Sequence, residues 1–339
     1  MNEIKTKNAV GHIISHDITR IISGGEKSVA FKKGHIVRAE DIPELLKLGK
    51  AHLYVWENDG TILHENDAAS ILADLVGTEG FLQGEVKEGK IEIFADRSGV
   101  LRVDKEKLAI LNEFDEVMIA TRHDLTPVRP GDKLAGTRII PLAIDIDRME
   151  EVKKMAGDEK VLSVIPFKNK KIAIVTTGSE VFEGLIEDGF TPLVREKLEE
   201  YDVEDLGNLK VSDNPEMTTS AILRMVDKGA DIVFVTGGMS VDPDDKTPLA
   251  IKNTGAEIVS YGAPVLPGAM FMIAYLGGTT ILGLPGCVMH FKRTIFDIVL
   301  PRVMADIRIT KKDINDLAPG GLCLNCDTCI WPACGFCAL

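Results

Sequence analysis

The chain has 339 residues, 45% of them hydrophobic and 27% charged, which suffices for two domains with separate buried cores and excludes disorder along most of its length. Lys and Arg number 39 against 52 Asp and Glu, and a formal net charge of -13 opposes binding to a phosphate backbone over any large surface. Aromatic residues make up only 5%, so the cores must rest on aliphatic side chains, as in an α/β protein without a nucleic-acid partner.

No basic start followed by an apolar run occurs over residues 1–25, so the protein is expected in the cytoplasm. Turn clusters at Ser23-Gly24-Gly25, Asn58-Asp59-Gly60 and Arg129-Pro130-Gly131 separate short apolar segments, which predicts a mixed, strand-rich α+β domain over 1–165. Helices are expected within it at Ala39–Leu48 and Asp67–Val76. Its histidines (His12, His16, His35, His52, His64 and His123) have no ligand-like pairing and are expected to be structural or solvent-facing.

From about Lys170 strands and helices alternate: a strand at Ile172–Val175, a helix at Pro192–Tyr201, a strand at Leu209–Val211, a helix at Met217–Lys228 and a strand at Ile232–Val235. A short helix from Pro248 to Lys252, a strand at Ile258–Tyr261 and a closing helix over Met289–Met304 follow. The alternation predicts a mostly parallel sheet covered on both faces over 166–308, with ligands at the carboxyl ends of its strands. The stretch Gly262–Phe291 carries no formal charge, but its prolines and glycines break it into short strands at Phe271–Leu276 and Thr279–Leu284 rather than a membrane span.

Four strand ends carry chemistry. After Ile232–Val235 come Thr236-Gly237-Gly238-Met239-Ser240 and then Asp242, Asp244, Asp245, Lys246 and Thr247. Paired glycines let the backbone approach anionic oxygen. Three carboxylates so close together are explained by Mg²⁺ bridging them to phosphate, or by an acidic cap with Asp244 or Asp245 at the helix start. Thr176-Thr177-Gly178-Ser179-Glu180 follows the first strand and either lines the same crevice or is an ordinary glycine turn. Asp213, in Val211-Ser212-Asp213-Asn214-Pro215, is a site residue or a helix cap. Gly283-Leu284-Pro285-Gly286 precedes the closing helix, whose N–H groups would face an oxyanion.

This ordered set resembles the molybdopterin-binding domain family of molybdenum cofactor biosynthesis over roughly Lys170–Ala305. The resemblance implies a three-layer α/β domain with a pterin dithiolene and its phosphate or adenylate across these loops. It implies binding by Thr177, Gly178, Ser179, Glu180, Gly237, Gly238, Ser240, Asp242, Thr247, Pro285 and Gly286, with Asp245 and Asp213 catalytic and Asp244 and Asp245 holding Mg²⁺. Asp245 matches the acidic residue shared by the molybdenum-inserting and adenylylating branches, and Asp213 the one found in the adenylylating branch. Gly237-Gly238-Met239-Ser240-Val241 and a substantial preceding domain resemble the inserting branch, a molybdopterin molybdenumtransferase. Cys287-Val288 replaces the usual Asn-Pro after Leu-Pro-Gly, the Asp-Gly-Tyr-Ala motif is absent, and so is the β-rich last domain of the longer enzymes. The implied function is insertion of molybdate into molybdopterin or its adenylate, by an enzyme that is a homo-oligomer and serves a molybdoenzyme acceptor. A non-catalytic pterin carrier or sensor and a molybdopterin adenylyltransferase are the alternatives. Lys246 and the turn at Gly286 are candidate molybdate contacts.

Residues 309–339 read as a linker and a Cys-rich tail, with Cys323, Cys326, Cys329, Cys334 and Cys337 in a C-x2-C-x2-C-x4-C-x2-C run. The spacing is that of metal ligands, either for an iron–sulfur cluster or for Zn²⁺, and not of a disulfide framework. The tail beyond Gly320 is expected to be dispensable for folding of the α/β domain.

Overall fold

The computed structural model describes residues 2–21, 27–55, 60–77, 79–240, 242–243 and 245–338. The turns read at Ser23-Gly24-Gly25 and at Asn58-Asp59 lie outside these residues. The chain divides into two compact units, one of residues 1–96, 103–122 and 130–163, the other of residues 97–102, 123–129 and 164–339.

The first unit is the strand-rich one. Its largest sheet is antiparallel, with Phe81–Gln83, Lys90–Ala95, Lys133–Ile139 and Val117–Thr121 side by side in that order. A helix over Glu65–Val76 buries Ala68, Ala69, Leu72, Ala73 and Val76. His64 starts that helix: its Nδ1 accepts from Asn66 N–H at 3.1 Å while Nε2 donates to the Ser15 carbonyl at 2.7 Å. The helix expected at Ala39–Leu48 is divided into a 3-10 turn at Ala39–Asp41 and an α-helix at Ile42–Lys47 with Pro43 in its first turn. Around it lies a small core that includes Ile14, Ile18, Val37, Leu45 and Leu53.

The second unit is a three-layer α/β domain. Its sheet contains β1 (Lys170–Thr177), β2 (Val203–Val211), β3 (Ile232–Thr236), β4 (Glu257–Tyr261), β5 (Met272–Leu276) and β6 (Thr279–Leu284), in spatial order β2-β1-β3-β6-β5-β4. The pairs β2–β1, β1–β3 and β3–β6 are parallel, and β5 runs antiparallel to both β6 and β4. Successive side chains of a strand point to opposite faces. Ile172, Ile174, Ile232 and Phe234 accordingly join one core with α1 (Phe190–Leu198) and α4 (Ile295–Met304). Ala173, Val175, Val233 and Val235 join the other, under α2 (Pro215–Asp227) and α3 (Thr247–Asn253).

The closing helix starts later than the sequence suggests. Gly286–Met289 is a 3-10 turn, and α4 begins only after Thr294, whose hydroxyl caps Phe296 N–H at 3.2 Å while Asp297 accepts from Thr294 N–H at 2.8 Å. That reciprocal cap sets the boundary. Residues 309–339 do not stand apart: Ile309, Ile314, Leu317, Phe336 and Cys337 belong to the same buried core as α4. Among the described residues no helix is long and apolar enough to cross a membrane, and Gly262–Phe291 forms strands and turns.

Candidate functional site

Register fixes where the loops emerge. Thr176 pairs with Thr236 and Thr236 with Leu284, while Thr177 pairs with Val211, so the carboxyl ends of β1, β2, β3 and β6 lie level. The loops beginning at Gly178, Ser212, Gly237 and Pro285 therefore share one rim.

The rim is tightly built around β1 and β3. Gly237 and Gly238 adopt φ of 85° and 54°. A Cβ on Gly237 would overlap the Thr177 carbonyl oxygen and lie 2.7 Å from its Oγ1, and a Cβ on Gly238 would lie 2.8 Å from Thr247 Oγ1. Thr177 and Thr247 share a hydrogen bond between their buried hydroxyls at 3.2 Å, and Thr247 N–H donates to the Gly238 carbonyl at 3.1 Å. One polar knot thus ties the end of β1 to both ends of the loop before α3.

Asp213 is a loop-to-loop tether. Its Oδ2 accepts from Ser179 N–H at 2.8 Å and Ser179 O–H at 2.9 Å. The cap of α2 is instead Asn214, whose side chain accepts from Glu216 and Met217 N–H. The cap reading also fails for Asp245, because Lys246 occupies the position before α3 and no side-chain cap bond forms there. Asp242 and Asp245 close a turn, with Asp245 N–H donating to the Asp242 carbonyl at 2.9 Å and Asp245 Oδ2 accepting from Asp242 N–H at 3.3 Å. Asp244, one of the expected Mg²⁺ ligands, lies outside the described residues, as does Val241. Among the described residues no group of three or more His, Cys, Asp or Glu side chains is placed to hold a metal ion.

Ser240, Pro285 and Gly286 line a second part of the rim, a cavity of about 570 Å³ that Pro267, Gly268 and Cys287 also border. Because α4 begins at Ile295, the N–H groups near Gly286 belong to the 3-10 turn and not to the long helix. Burial pushes the Cys287 thiol above its ordinary value. Glu180 is exposed and makes the start of a one-turn helix at Ser179–Phe182.

Two contributors escape the sequence. Tyr261, at the end of β4, donates to the Met239 carbonyl at 3.3 Å, and burial together with the nearby Asp245 carboxylate pushes its hydroxyl up. Asp188 accepts from Thr176 Oγ1 at 3.0 Å, Asn208 Nδ2 at 2.9 Å, Thr191 Oγ1 at 2.6 Å and the N–H groups of Phe190 and Thr191. Burial alone would raise Asp188, but bonds from Thr191, Thr176 and Phe190 outweigh it and hold the carboxyl below its ordinary value. Tyr261 acts through a partner far along the chain; Asp188 also caps the start of α1 through Phe190 and Thr191, a local signal, and its links to Thr176 and Asn208 are the distant part.

Residues 173–305 match the model of the probable molybdopterin-binding domain family. The second unit carries a domain of that family. Residues 3–57 match a domain of unknown function (DUF8806). A molybdopterin molybdenumtransferase of Staphylococcus aureus (strain COL) is 28% identical over 126 residues, 35% of this chain and 30% of that relative. One of Staphylococcus epidermidis is 28% identical over 123 residues, 34% of this chain and 29% of that relative. The chain thus matches less than a third of the length of these relatives. Among solved structures, the molybdopterin biosynthesis enzyme MoaB of Thermus thermophilus aligns with 41% of this chain and 96% of its own, at a TM-score of 0.34 and 21% identity. The tungsten cofactor synthesizing protein MoaB of Pyrococcus furiosus aligns with 41% of this chain and 90% of its own, at a TM-score of 0.32 and 20% identity.

Proposed function

We propose that the molybdopterin-binding domain takes up molybdopterin or its adenylate across the rim and inserts molybdate, the reaction named for the staphylococcal relatives. The observation that carries this reading is the level alignment of four strand ends, with Gly237 and Gly238 packed closely against Thr177 and Thr247 at the start of the loop that carries Ser240. Insertion asks little of side chains beyond positioning and charge neutralisation.

In this scheme the backbone N–H groups at Gly237 and Gly238 and the Ser240 hydroxyl receive the anionic oxygens of the phosphate or pyrophosphate. Thr177, Gly178, Ser179 and Glu180 flank the pterin, with Ser179 held in place by Asp213. Asp213 is on this geometry a positioning residue. Mg²⁺ commonly keeps several waters and takes one or two carboxylates together with substrate phosphates, so Asp245 with Asp242 or Asp244 is a sufficient donor set without a third protein ligand. When bound, the ion supplies charge neutralisation on the pyrophosphate. Lys246 and the turn at Gly286 offer a cation and N–H groups to molybdate, and the product passes to a molybdoenzyme.

A carrier that binds the pterin without turnover is the second reading, favoured by Cys287-Val288 in place of the usual Asn-Pro. Calorimetric titration of the anaerobic full chain with molybdopterin, with and without Mg²⁺, followed by mass analysis of the ligand after adding molybdate or ATP, separates the readings. Molybdenum incorporation supports insertion, an adenylate points to molybdopterin adenylylation, and unchanged bound ligand supports the carrier. Absence of binding refutes all three.

A further inference from the structure

The tail is anchored where its cysteines begin. Leu266 N–H donates to the Gly321 carbonyl and Cys323 N–H to the Leu266 carbonyl, both at 2.8 Å, and Cys337 N–H reaches back to the Gly320 carbonyl at 3.0 Å. Gly321 fits only as glycine, since a Cβ there would overlap the Pro264 carbonyl oxygen. Lys292 Nζ donates to the Asp327 carbonyl at 2.9 Å, and the Arg293 guanidinium lies 4.8 Å from the centre of the Trp331 ring. The segment between Cys323 and Cys337 is thereby folded back on itself over the 290–293 turn.

This folding forms a solvent-open cavity of about 620 Å³ lined by four of the five tail cysteines, Cys323, Cys326, Cys329 and Cys334, of which Cys326 and Cys329 are exposed. Cys337 is different: it is buried in the core with Phe336 and does not line the cavity. Arg293 lines the cavity beside the cysteines, and Arg302 lies in the core beside Cys337. Arg293 Nε and Arg302 Nε make no hydrogen bond, although Arg302 is only 3% exposed. Arg293 lies within hydrogen-bonding reach of Cys329, and Arg302 lies within Coulombic reach of Cys337. Arg293 donates to Asp297 at 2.9 Å and, with Lys292, lines the cavity, whereas Arg302 lies outside it.

We infer that this cavity holds an iron–sulfur cluster of the [4Fe–4S] class, ligated by the thiolates of Cys323, Cys326, Cys329 and Cys334, with Lys292 and Arg293 as its countercharge. One observation favours a cluster over a single zinc ion. A cluster distributes its four ligands over separate irons, and the leading C-x2-C-x2-C is the spacing that binds one. Such a cluster is anionic, as a tetrathiolate zinc would also be, and Lys292 and Arg293 in the cavity lining offset that charge. Two ferrous and two ferric ions with four sulfides, all from outside the chain, combine with the four cysteines, each thiol releasing its proton to solvent as its Fe–S bond forms.

The position adds to the inference. Phe291, Leu322, Cys323 and Asn325 line both this cavity and the one bordered by Ser240, Pro285 and Gly286, so a cluster here is separated from the rim by a single wall of side chains. The assignment does not depend on what the rim binds.

The test is anaerobic reconstitution of the full chain with equal amounts of ferrous and ferric iron and with sulfide, and in parallel with zinc alone. Iron and acid-labile sulfide are quantified per chain, and electron paramagnetic resonance is recorded after dithionite reduction. About four iron and four sulfide per chain with a reduced-cluster signal are expected. C326A and C329A are expected to lose the cluster, while C337A keeps it; circular dichroism verifies that each variant is folded. Stoichiometric zinc uptake with no sulfide-dependent iron, cluster retention in the C326A/C329A double variant, or loss of the cluster in a folded C337A overturns the assignment.

Discussion

Replacing Gly237 by alanine probes the rim most directly, because two separate costs meet there. At φ of 85° an L side chain is strained, which costs about 1–2 kcal/mol. The new Cβ would also overlap the Thr177 carbonyl oxygen, and Thr177 is the last residue of β1, held in register with Val211. Overpacking of that kind adds about 1–3 kcal/mol, giving a loss of about 2–5 kcal/mol from a domain whose total is on the order of 5–15. Gly238→Ala should be milder. Its φ of 54° is in the left-handed basin and its nearest neighbour is the Thr247 hydroxyl at 2.8 Å, which can rotate away at the expense of the bond to Thr177; the expected loss is about 1–2 kcal/mol. Gly278, in the turn between β5 and β6, has open space around it and serves as a control with a change within about 1 kcal/mol. Urea denaturation of the full chain followed by circular dichroism measures all three. A Gly237→Ala variant no less stable than Gly238→Ala would refute the close approach of the β3 loop to β1.

Other variants test the surrounding structure. Asp297, 5% exposed, accepts from Lys197 at 2.7 Å, Arg293 at 2.9 Å and Thr294 N–H at 2.8 Å; Asp297→Ala should cost about 3–5 kcal/mol, and a denaturation midpoint unchanged from the parent would contradict that network. Asp213→Ala strips Ser179 N–H of its acceptor and should cost about 1–3 kcal/mol while weakening pterin binding, whereas Asn at this position should recover part of both. Phe336→Ala should destabilise the second unit by about 3–5 kcal/mol, since Phe336 is buried in its core; a melting curve that ignores the change would show that the tail is detached in solution. The Asp188 carboxyl is held below its ordinary value in the folded chain, so its bonds contribute fully above the unfolded value near 3.8 and are lost as pH falls through the lower folded value. Asp188→Asn should therefore flatten the stability profile below about pH 4, and a profile parallel to that of the parent protein would exclude this role.

What the sequence discloses is periodic or local. Ile172–Val175 and Ile232–Val235 are continuous apolar runs between turn signals, and both are central parallel strands. The glycine pair after β3 and the Thr-Thr-Gly-Ser stretch after β1 mark the rim because small residues are needed where strands and loops approach closely. Roles set by distant partners are hidden. Asp213 precedes a helix and so resembles a cap, yet Asn214 takes that place and frees Asp213 for Ser179, a residue 34 positions away. Asp188 and Tyr261 likewise gain their functions from Thr176, Asn208 and Met239. The start of α4 was legible only through Thr294 and Asp297, a signal overridden by the apolar residues that run on from Met289.

The same helix explains why the tail folds as it does. All ten residues of α4 are buried, including Asp297 and Arg302. A surface helix keeps one polar face, whereas a helix that is apolar all round requires cover on every side. The sheet covers one side through Phe234, which meets Phe296 edge-on at 5.6 Å. Ile309, Ile314, Leu317 and Phe336 join the same core, so the C-terminal segment helps complete it. Truncation at Gly320 would remove Phe336 and Cys337 from that core and the backbone pairings of Leu266, so the expectation that the tail is dispensable for folding does not survive the structure. The cysteine cavity is in consequence built on a core element, which is the rigid support that a fixed set of metal ligands requires.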